Sequence, residues 1–406
     1  MTLAQSPTVR RVVAGQLCTG CGLCASVSGG AIAMEIAPPG YNRPRQIGPI
    51  AVEREAIIAG ACPGAVVAGW PDTAKIHPVW GPYLGVYTGH AVNEDVRFKG
   101  SSGGAVTALG LHALQSGLVD RVIHVTANPA DPAGNLVRCS TTPQEIIDGA
   151  GSRYISSSPL ADIERVLADG GSAAFVGKPC DVSALRRLAL QDPRVDRHIP
   201  LMLAFFCAGI PSRRAVGRVL DALGVPAEDL AAFRYRGNGW PGKATATARD
   251  GRVAEMSYED SWGGFLSKEV QFRCKICPDA VGGVADIACA DAWYGGETGY
   301  PTFEELDGRS LIVSRTARGQ SVLHAAVVGG TVAIEPLDIG EIDLMQPSQA
   351  QRKRLVGGRL TALAVTLQPR PRLRGLWIAR ASKMARPREQ LRNFLGTLRR
   401  IVLRRR

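Results

Sequence analysis

The sequence predicts an α/β chain, α+β overall, in three parts: a small cysteine-bearing module over residues 1–75, a larger α/β domain with a mixed sheet over 76–350, and a basic helical tail over 351–406. Three observations predict it. Short apolar runs alternate with helical patterns through the middle of the chain, a Gly/Pro-punctuated segment with four cysteines precedes them, and cations crowd the last residues.

The elements follow in order. Residues 15–75 form the compact first segment, ending near Trp70-Pro71. Ala105 to Leu114 is an apolar helix approached through glycines. Arg121 to Val125, Ala173 to Gly177 and Pro200 to Phe206 are strand-like, and helical patterns run over Leu160 to Ala168, Val182 to Leu190 and Arg213 to Leu223. That alternation predicts βαβ units with a parallel sheet. Phe233 to Arg236, Ala244 to Ala248 and Val253 to Met256 are read as antiparallel strands, and Ser310 to Ile334 as strand, helix, strand. No repeat of fixed period is present.

With 406 residues, 45% hydrophobic and 21% charged, the chain has room for two or three globular domains. Arg10 and Arg11 are not followed by an apolar h-region, and stretches such as Pro200 to Ile210 fall short of the ~18 residues a membrane span needs. The expectation is a cytoplasmic protein, where ten cysteines serve as metal ligands or redox groups rather than disulfides. Residues 351–406 carry a net +16 and residues 1–350 a net −4, which together make the chain's +12. The high pI therefore belongs to the tail, and nucleic acid is not a favoured partner.

Cys18-Thr-Gly-Cys21-Gly-Leu-Cys24 is a C-x2-C-x2-C run, and Cys62-Pro63 supplies an isolated Cys-Pro. This is the ligand grammar of one [4Fe-4S] cubane. Ser28 stands where a second cluster would need a cysteine, so Cys18, Cys21, Cys24 and Cys62 are expected to hold one cluster. Zinc also accepts four thiolates, but it tends to use two separated pairs. Cys274 and Cys277 form a further C-x2-C pair, while Cys180 and Cys207 follow apolar runs at expected strand ends, where ligands gather in open sheets. These four could converge on a second cubane, or Cys180 and Cys207 could be small core residues. Cys289 and Cys139 read as core or surface thiols, Cys139 near a loop. No Ser-His-Asp or paired-carboxylate constellation stands out, and the six histidines lack metal spacing.

Several phrases taken together resemble the coenzyme F420 hydrogenase/dehydrogenase beta-subunit family. They are the Cys18 run, Gly100-Ser-Ser-Gly-Gly104, Gly151-Ser-Arg-Tyr154, Gly177-Lys-Pro-Cys180, Arg236 to Gly242, Phe272 to Asp279 and Ala290-Asp-Ala-Trp293, in the family's order. The resemblance implies a ferredoxin-like N-terminal module, an FAD-binding central domain and a second [4Fe-4S] cluster on Cys180, Cys207, Cys274 and Cys277. It places FAD near Ser101, Ser102, Gly103, Gly104, Ser152, Arg153, Tyr154, Gly177 and Lys178. The glycine-rich approach to a helix N-terminus can cradle a pyrophosphate, while Arg153 and Lys178 could neutralise phosphates or an anionic substrate. The chain departs from the family at Arg153, where Lys is common, and at Lys178 and Asp181, where Thr and Gln are usual. That puts the deazaflavin substrate in doubt more than the flavin.

The expected function is an oxidoreductase passing electrons between [4Fe-4S] clusters and FAD to act on a small organic substrate, with a donor or acceptor such as ferredoxin. The alternative is a non-catalytic electron-transfer subunit feeding a partner enzyme. From Pro387, Leu391, Phe394, Leu395, Leu398 and Val402 recur at helical spacing among arginines. Such a helix suits an anionic membrane surface, which would hold the protein at the inner face of the membrane. It equally suits docking on its own body or on an acidic partner. The tail is expected to govern location, not chemistry.

Overall fold

A computed structural model describes every residue except 74, 294, 296–301, 303 and 404–406. Its centre is an eight-stranded mixed sheet in the order Val332–Pro336, Gly85–Ala91, Ser310–Ser314, Ile287–Asp291, Leu201–Phe205, Ala173–Gly177, Arg121–Asn128 and Asp131–Ser140. Ile287–Asp291, Leu201–Phe205, Ala173–Gly177 and Arg121–Asn128 run parallel, and every other pairing is antiparallel. The expected parallel sheet is thus the middle of a mixed one.

Side chains alternate across this sheet, as a two-residue period requires. Leu201 and Leu203 enter one core with Leu109, Leu323 and Ala326 of the helices Ala105–Gln115 and Ala317–Val328. Met202 and Ala204 enter the opposite core, with Val182 and Leu185 of the helix Pro179–Ala189 and Leu23 and Ile58 of the N-terminal segment. Because both faces are covered, the central strands read as unbroken apolar runs.

The N-terminal segment contains the helices Pro7–Ala14, Leu23–Val27 and Val52–Ala61 and a hairpin of Ile32–Ala37 with Tyr41–Gln46. It shares a core with the large sheet. A three-stranded antiparallel sheet, Leu230–Arg234, Ala244–Ala248 and Val253–Met256, packs against the helix Arg213–Ala222 in a core of its own.

Two strands of the large sheet escaped the sequence reading. Gly85–Ala91 has its apolar signal diluted by Gly89, yet a Cβ there would lie 2.2 Å from the Ala333 carbonyl oxygen, so the close strand approach requires glycine. Asp131–Ser140 opens on Asp-Pro-Ala-Gly, which reads as a turn. Cys139, expected near a loop, lies exposed on this strand opposite Ile123.

The C-terminal segment is built from Pro347–Val365, Ile378–Ser382 and Pro387–Val402. The helix expected from Pro387 is present, and the boundary expected at 350 falls inside the helix that begins at Pro347. Among the described residues no helix is long and apolar enough to cross a membrane.

Candidate functional site

The loop before the helix Leu23–Val27 turns through Gly20 and Gly22, with φ of 80° and 87°. A Cβ on Gly22 would stand 2.8 Å from the Ala161 backbone nitrogen, so the loop docks as only glycine permits. Leu160 N–H donates to the Cys21 carbonyl at 2.9 Å and the Ser158 hydroxyl to the Gly20 carbonyl at 2.9 Å. This docking gathers Cys18, Cys21, Cys24 and Cys62, which feel one another electrostatically. Burial pushes all four thiols up, Cys62 to about 11, with the neighbouring thiols adding to the shifts of Cys21, Cys24 and Cys62. Backbone N–H groups two residues on oppose that shift: Gly20 donates to Cys18 Sγ at 3.3 Å, and Leu23 and Gly64 serve Cys21 and Cys62.

Cys180, Cys207, Cys274 and Cys277 form a second set by the same criterion. Cys180 is the second residue of the helix Pro179–Ala189, Cys207 follows the strand Leu201–Phe205, and Cys274 lies on the short helix Phe272–Lys275. Burial raises Cys207 to about 12, with Cys274 adding to the shift. Among the described residues no three Cys, His, Asp or Glu are spaced to hold a single metal ion. A cubane, with an iron at each of four corners, requires its thiolates farther apart than one ion does. Each set brings four thiols together with N–H donors at some of its sulfurs, from Gly20, Leu23 and Gly64 in the first and from Gly209 and Gln271 in the second, a donor set that suits a [4Fe-4S] cluster.

Arg273 links the two sets. It is 2% exposed, faces Cys18, Cys62 and Cys277, and donates Nη2 to the Pro63 carbonyl at 3.1 Å. The C-terminal helix Pro347–Val365 closes the second set from outside. Arg352 bonds the carbonyls of Cys207 and Ala208 at 3.1 and 2.5 Å, Lys353 that of Pro278 at 2.6 Å, and Arg359 that of Lys275 at 2.6 Å. Ile401 and Leu363 share a core with Cys18 and Leu17. The expectation that the tail stands apart from the chemistry is corrected here, because its helices form part of the wall behind both sets.

A cavity of about 300 Å³ opens at the carboxyl ends of the parallel strands, where Gly177, Phe205, Cys207 and Asp291 line it. The phrases at 100–104, 149–155 and 176–178 converge on it. Ser101, Ser102, Gly104, Ser152, Arg153, Tyr154, Gly177 and Lys178 all line it. Gly103 lies behind the wall, where a Cβ would meet the Gly89 carbonyl at 2.7 Å. The Ser101 hydroxyl accepts from Ser152 N–H, and the Ser102 hydroxyl lies 2.9 Å from the Arg309 carbonyl, so both serines brace the loop. Gly104, at φ 73°, starts the helix Ala105–Gln115, whose first residues Ala105, Val106 and Thr107 line the cavity.

The cations differ from their expected use. Arg153 donates to Asn135 Oδ1 at 3.0 Å and to the carbonyls of Phe233, Pro132 and Gly134, so it clasps two strands together. Lys178 Nζ lies 2.7 Å from Asp181 Oδ2 in a buried pair. The partner carboxylate favours the charged lysine, against the desolvation that opposes it. Asp181 Oδ1 and Gln349 Oε1 are buried cavity-lining acceptors without a hydrogen-bond partner among the described residues. A bound group bearing N–H or O–H donors, such as a flavin ring and its ribityl chain, would satisfy them.

Sequence reasoning also passed over the far wall. Arg236 makes a bidentate pair with Asp291 at 2.9 and 2.6 Å and lies 4.4 and 4.8 Å from the ring centres of Tyr258 and Trp293. Trp240 stacks on Trp293 at 4.8 Å and donates its indole N–H to Asp291 at 2.9 Å. The phrases containing Arg236 and Asp291 were visible, but 55 positions separate them, and nothing local announces the pair.

Residues 86–164 match the N-terminal domain and residues 170–339 the C-terminal domain of the coenzyme F420 hydrogenase/dehydrogenase beta subunit. Among curated relatives, the coenzyme F420 hydrogenase subunit beta of Methanococcus voltae is 25% identical over 281 residues, covering 68% of this chain and 92% of its own. The F420-dependent formate dehydrogenase 1 subunit beta of Methanococcus maripaludis is 25% identical over 61% of this chain and 60% of its own. A chain of the F420-reducing [NiFe] hydrogenase complex from Methanosarcina barkeri superposes with a TM-score of 0.57 at 22% identity, covering 74% of this chain and 99% of that one. Two adjoining domain matches span most of the large sheet, and a solved fold agrees with it. The chain therefore belongs to the coenzyme F420 hydrogenase/dehydrogenase beta-subunit family.

Proposed function

We propose that the protein is an iron-sulfur flavoprotein oxidoreductase, with one [4Fe-4S] cluster on Cys18, Cys21, Cys24 and Cys62, a second on Cys180, Cys207, Cys274 and Cys277, and FAD in the strand-end cavity. The observation that carries this reading is the gathering of eight cysteines from five separate stretches of the chain into two sets, with Cys207 also on the cavity wall. A bound flavin would supply the exchange between one-electron and two-electron chemistry. The protein's own part is to orient and to insulate. The N-terminus of Ala105–Gln115 offers backbone N–H groups to a pyrophosphate, and Asp181 Oδ1 and Gln349 Oε1 accept donors of the bound group. Among the described lining residues, Lys178 and Arg236 are each paired with a carboxylate and Arg153 spends its donors on carbonyls, which leaves few free donors for a polyanionic coenzyme. The substrate favoured is a small organic acceptor rather than coenzyme F420, with electrons exchanged through a carrier such as ferredoxin.

Anaerobic purification followed by iron, sulfide and flavin analysis tests the reading. About eight irons and one FAD per chain are expected, and Cys274→Ala should remove about four irons. Bound zinc without acid-labile sulfide refutes the clusters, and rapid reoxidation of the reduced protein by coenzyme F420 refutes the substrate preference.

A second reading has its own support, since the relatives above are named as subunits of hydrogenases and formate dehydrogenases. In it the chain is a non-catalytic electron-transfer subunit of a larger oxidoreductase. A pure chain that accepts electrons from ferredoxin or dithionite yet reduces no small molecule would favour it.

A further inference from the structure

The helix Pro387–Val402 is docked by its polar side. Gln390 Nε2 donates to the Arg354 carbonyl at 2.7 Å, Asn393 Oδ1 accepts from Arg359 Nε at 3.0 Å, and Thr397 and Ile401 are buried. These four positions, three and four apart, share one face. The stripe Leu391, Leu395 and Val402 is rotated from it by about 100°, one residue step, and so stays outside the packing, with Leu398 half-buried at its edge. Leu391, Leu395 and Val402 are 56%, 51% and 71% exposed.

Arg388, Arg392 and Arg399 are exposed along the rim of that stripe. The helix has one acid, Glu389, and its carboxylate is already engaged by the Arg386 backbone N–H at 3.0 Å. The last turn lies beside the end of Pro347–Val365, since Leu363 and Ile401 share a core. Beyond that core stand exposed Val365, Leu367 and Leu403, so the apolar surface extends past the single helix.

We propose that this face rests on an anionic lipid surface. Apolar side chains stand in one row with cations at their rim, on a helix that carries four arginines against the single acid Glu389. Such a row needs no complementary shape, only a fluid apolar layer beneath negative headgroups. A protein partner would need fixed acidic and apolar contacts matched to it. Because the helix is held by Gln390, Asn393, Thr397 and Ile401, it can lie on the bilayer without leaving the body.

The experiment is co-sedimentation of the full-length protein with phosphatidylcholine vesicles, with and without roughly one-third phosphatidylglycerol, across a salt series. The intact protein should sediment with the anionic vesicles at low salt and stay in solution with the neutral ones. Leu391→Glu with Leu395→Glu should lower partitioning more than about tenfold with an unchanged thermal melt. Arg388→Gln, Arg392→Gln and Arg399→Gln should each lower it about fivefold and together flatten the salt dependence. Failure of the intact protein to sediment with anionic vesicles overturns the proposal, as does sedimentation of the glutamate variant at the intact level. Retention on an acidic protein surface without any vesicle binding overturns it in favour of a protein partner.

Discussion

Asp291→Ala removes the carboxylate that balances Arg236. The Arg236 side chain is 2% exposed and that of Asp291 19%, so the substitution strands a guanidinium that water cannot reach. Removing one partner of a buried pair costs about 3–5 kcal/mol. The Arg236 side chain keeps its Nε bond to the Pro241 carbonyl at 2.6 Å and its place beside Tyr258 and Trp293, which argues for the lower end of that range. At roughly 2–4 °C per kcal/mol for a domain of this size, the melting temperature should fall by about 6–12 °C. The assay is thermal and urea unfolding followed by circular dichroism. The decisive comparison is Arg236→Leu with Asp291→Leu, which removes both charges and should be more stable than Asp291→Ala. If Asp291→Ala unfolds within about 1 kcal/mol of the parent, or the double variant is no better, the pair does not act as a desolvated unit and the reasoning fails.

Two further predictions concern charge. Arg273→Gln takes a buried cation from between the two cysteine sets; because that cation favours the added electron, both reduction potentials should fall, on the order of 60 mV for a tenfold effect on a one-electron couple. Iron content should hold, and redox titration followed by EPR showing unmoved potentials would count against the placement of Arg273. His124 has its pKa lowered mainly by burial, and its Nε2 lies 2.7 Å from the Ser140 hydroxyl. Below pH 6.5 the unfolded chain therefore binds a proton that the folded chain resists, so stability falls as pH drops through that value. His124→Gln should flatten this acid slope in urea midpoints measured between pH 5 and 7, and an unchanged slope would assign it to other groups.

Much of the architecture was legible because central strands buried on both faces carry dense apolar runs. Ala173 to Gly177 and Leu201 to Phe205 are found as strands where those runs stand. The helix expected over Val182 to Leu190 begins earlier, at Pro179, and Asp181 closes back on the Lys178 N–H at 3.1 Å. The cysteine groupings were legible for a different reason, since C-x2-C spacings and positions after strand ends bring thiols together in the fold. Arg153 shows where such reading stops. A lone arginine in a glycine-rich phrase carries no sign of whether its five donors meet a phosphate or carbonyls, and here Phe233, Pro132 and Gly134 take them.

The C-terminal segment shows the deeper limit. An amphipathic pattern says that a helix has two faces, not which face the body takes. In Pro387–Val402 the sequence left open whether the leucine stripe meets a membrane or the body, and the body takes Gln390, Asn393 and Thr397. The reason lies in the helix it meets. Pro347–Val365 turns Val356, Leu360 and Leu363 toward Cys18 and Leu17 and presents Arg359 and the Gly358 N–H to its neighbour, so the apolar side is already occupied and a polar partner is required. Burying leucines against Arg359 would have left its Nε without the Asn393 acceptor, a cost of about 1–3 kcal/mol for each buried donor so stranded. The segment's apolar stripe is outward because the cysteine sets claim the inward apolar surface first. Its cations Arg352 and Arg359 then serve the carbonyls around Cys207 and Lys275, while its exposed arginines serve whatever lies outside. One charge count over 351–406 thus combines two populations of arginine with different work, and only their burial separates them.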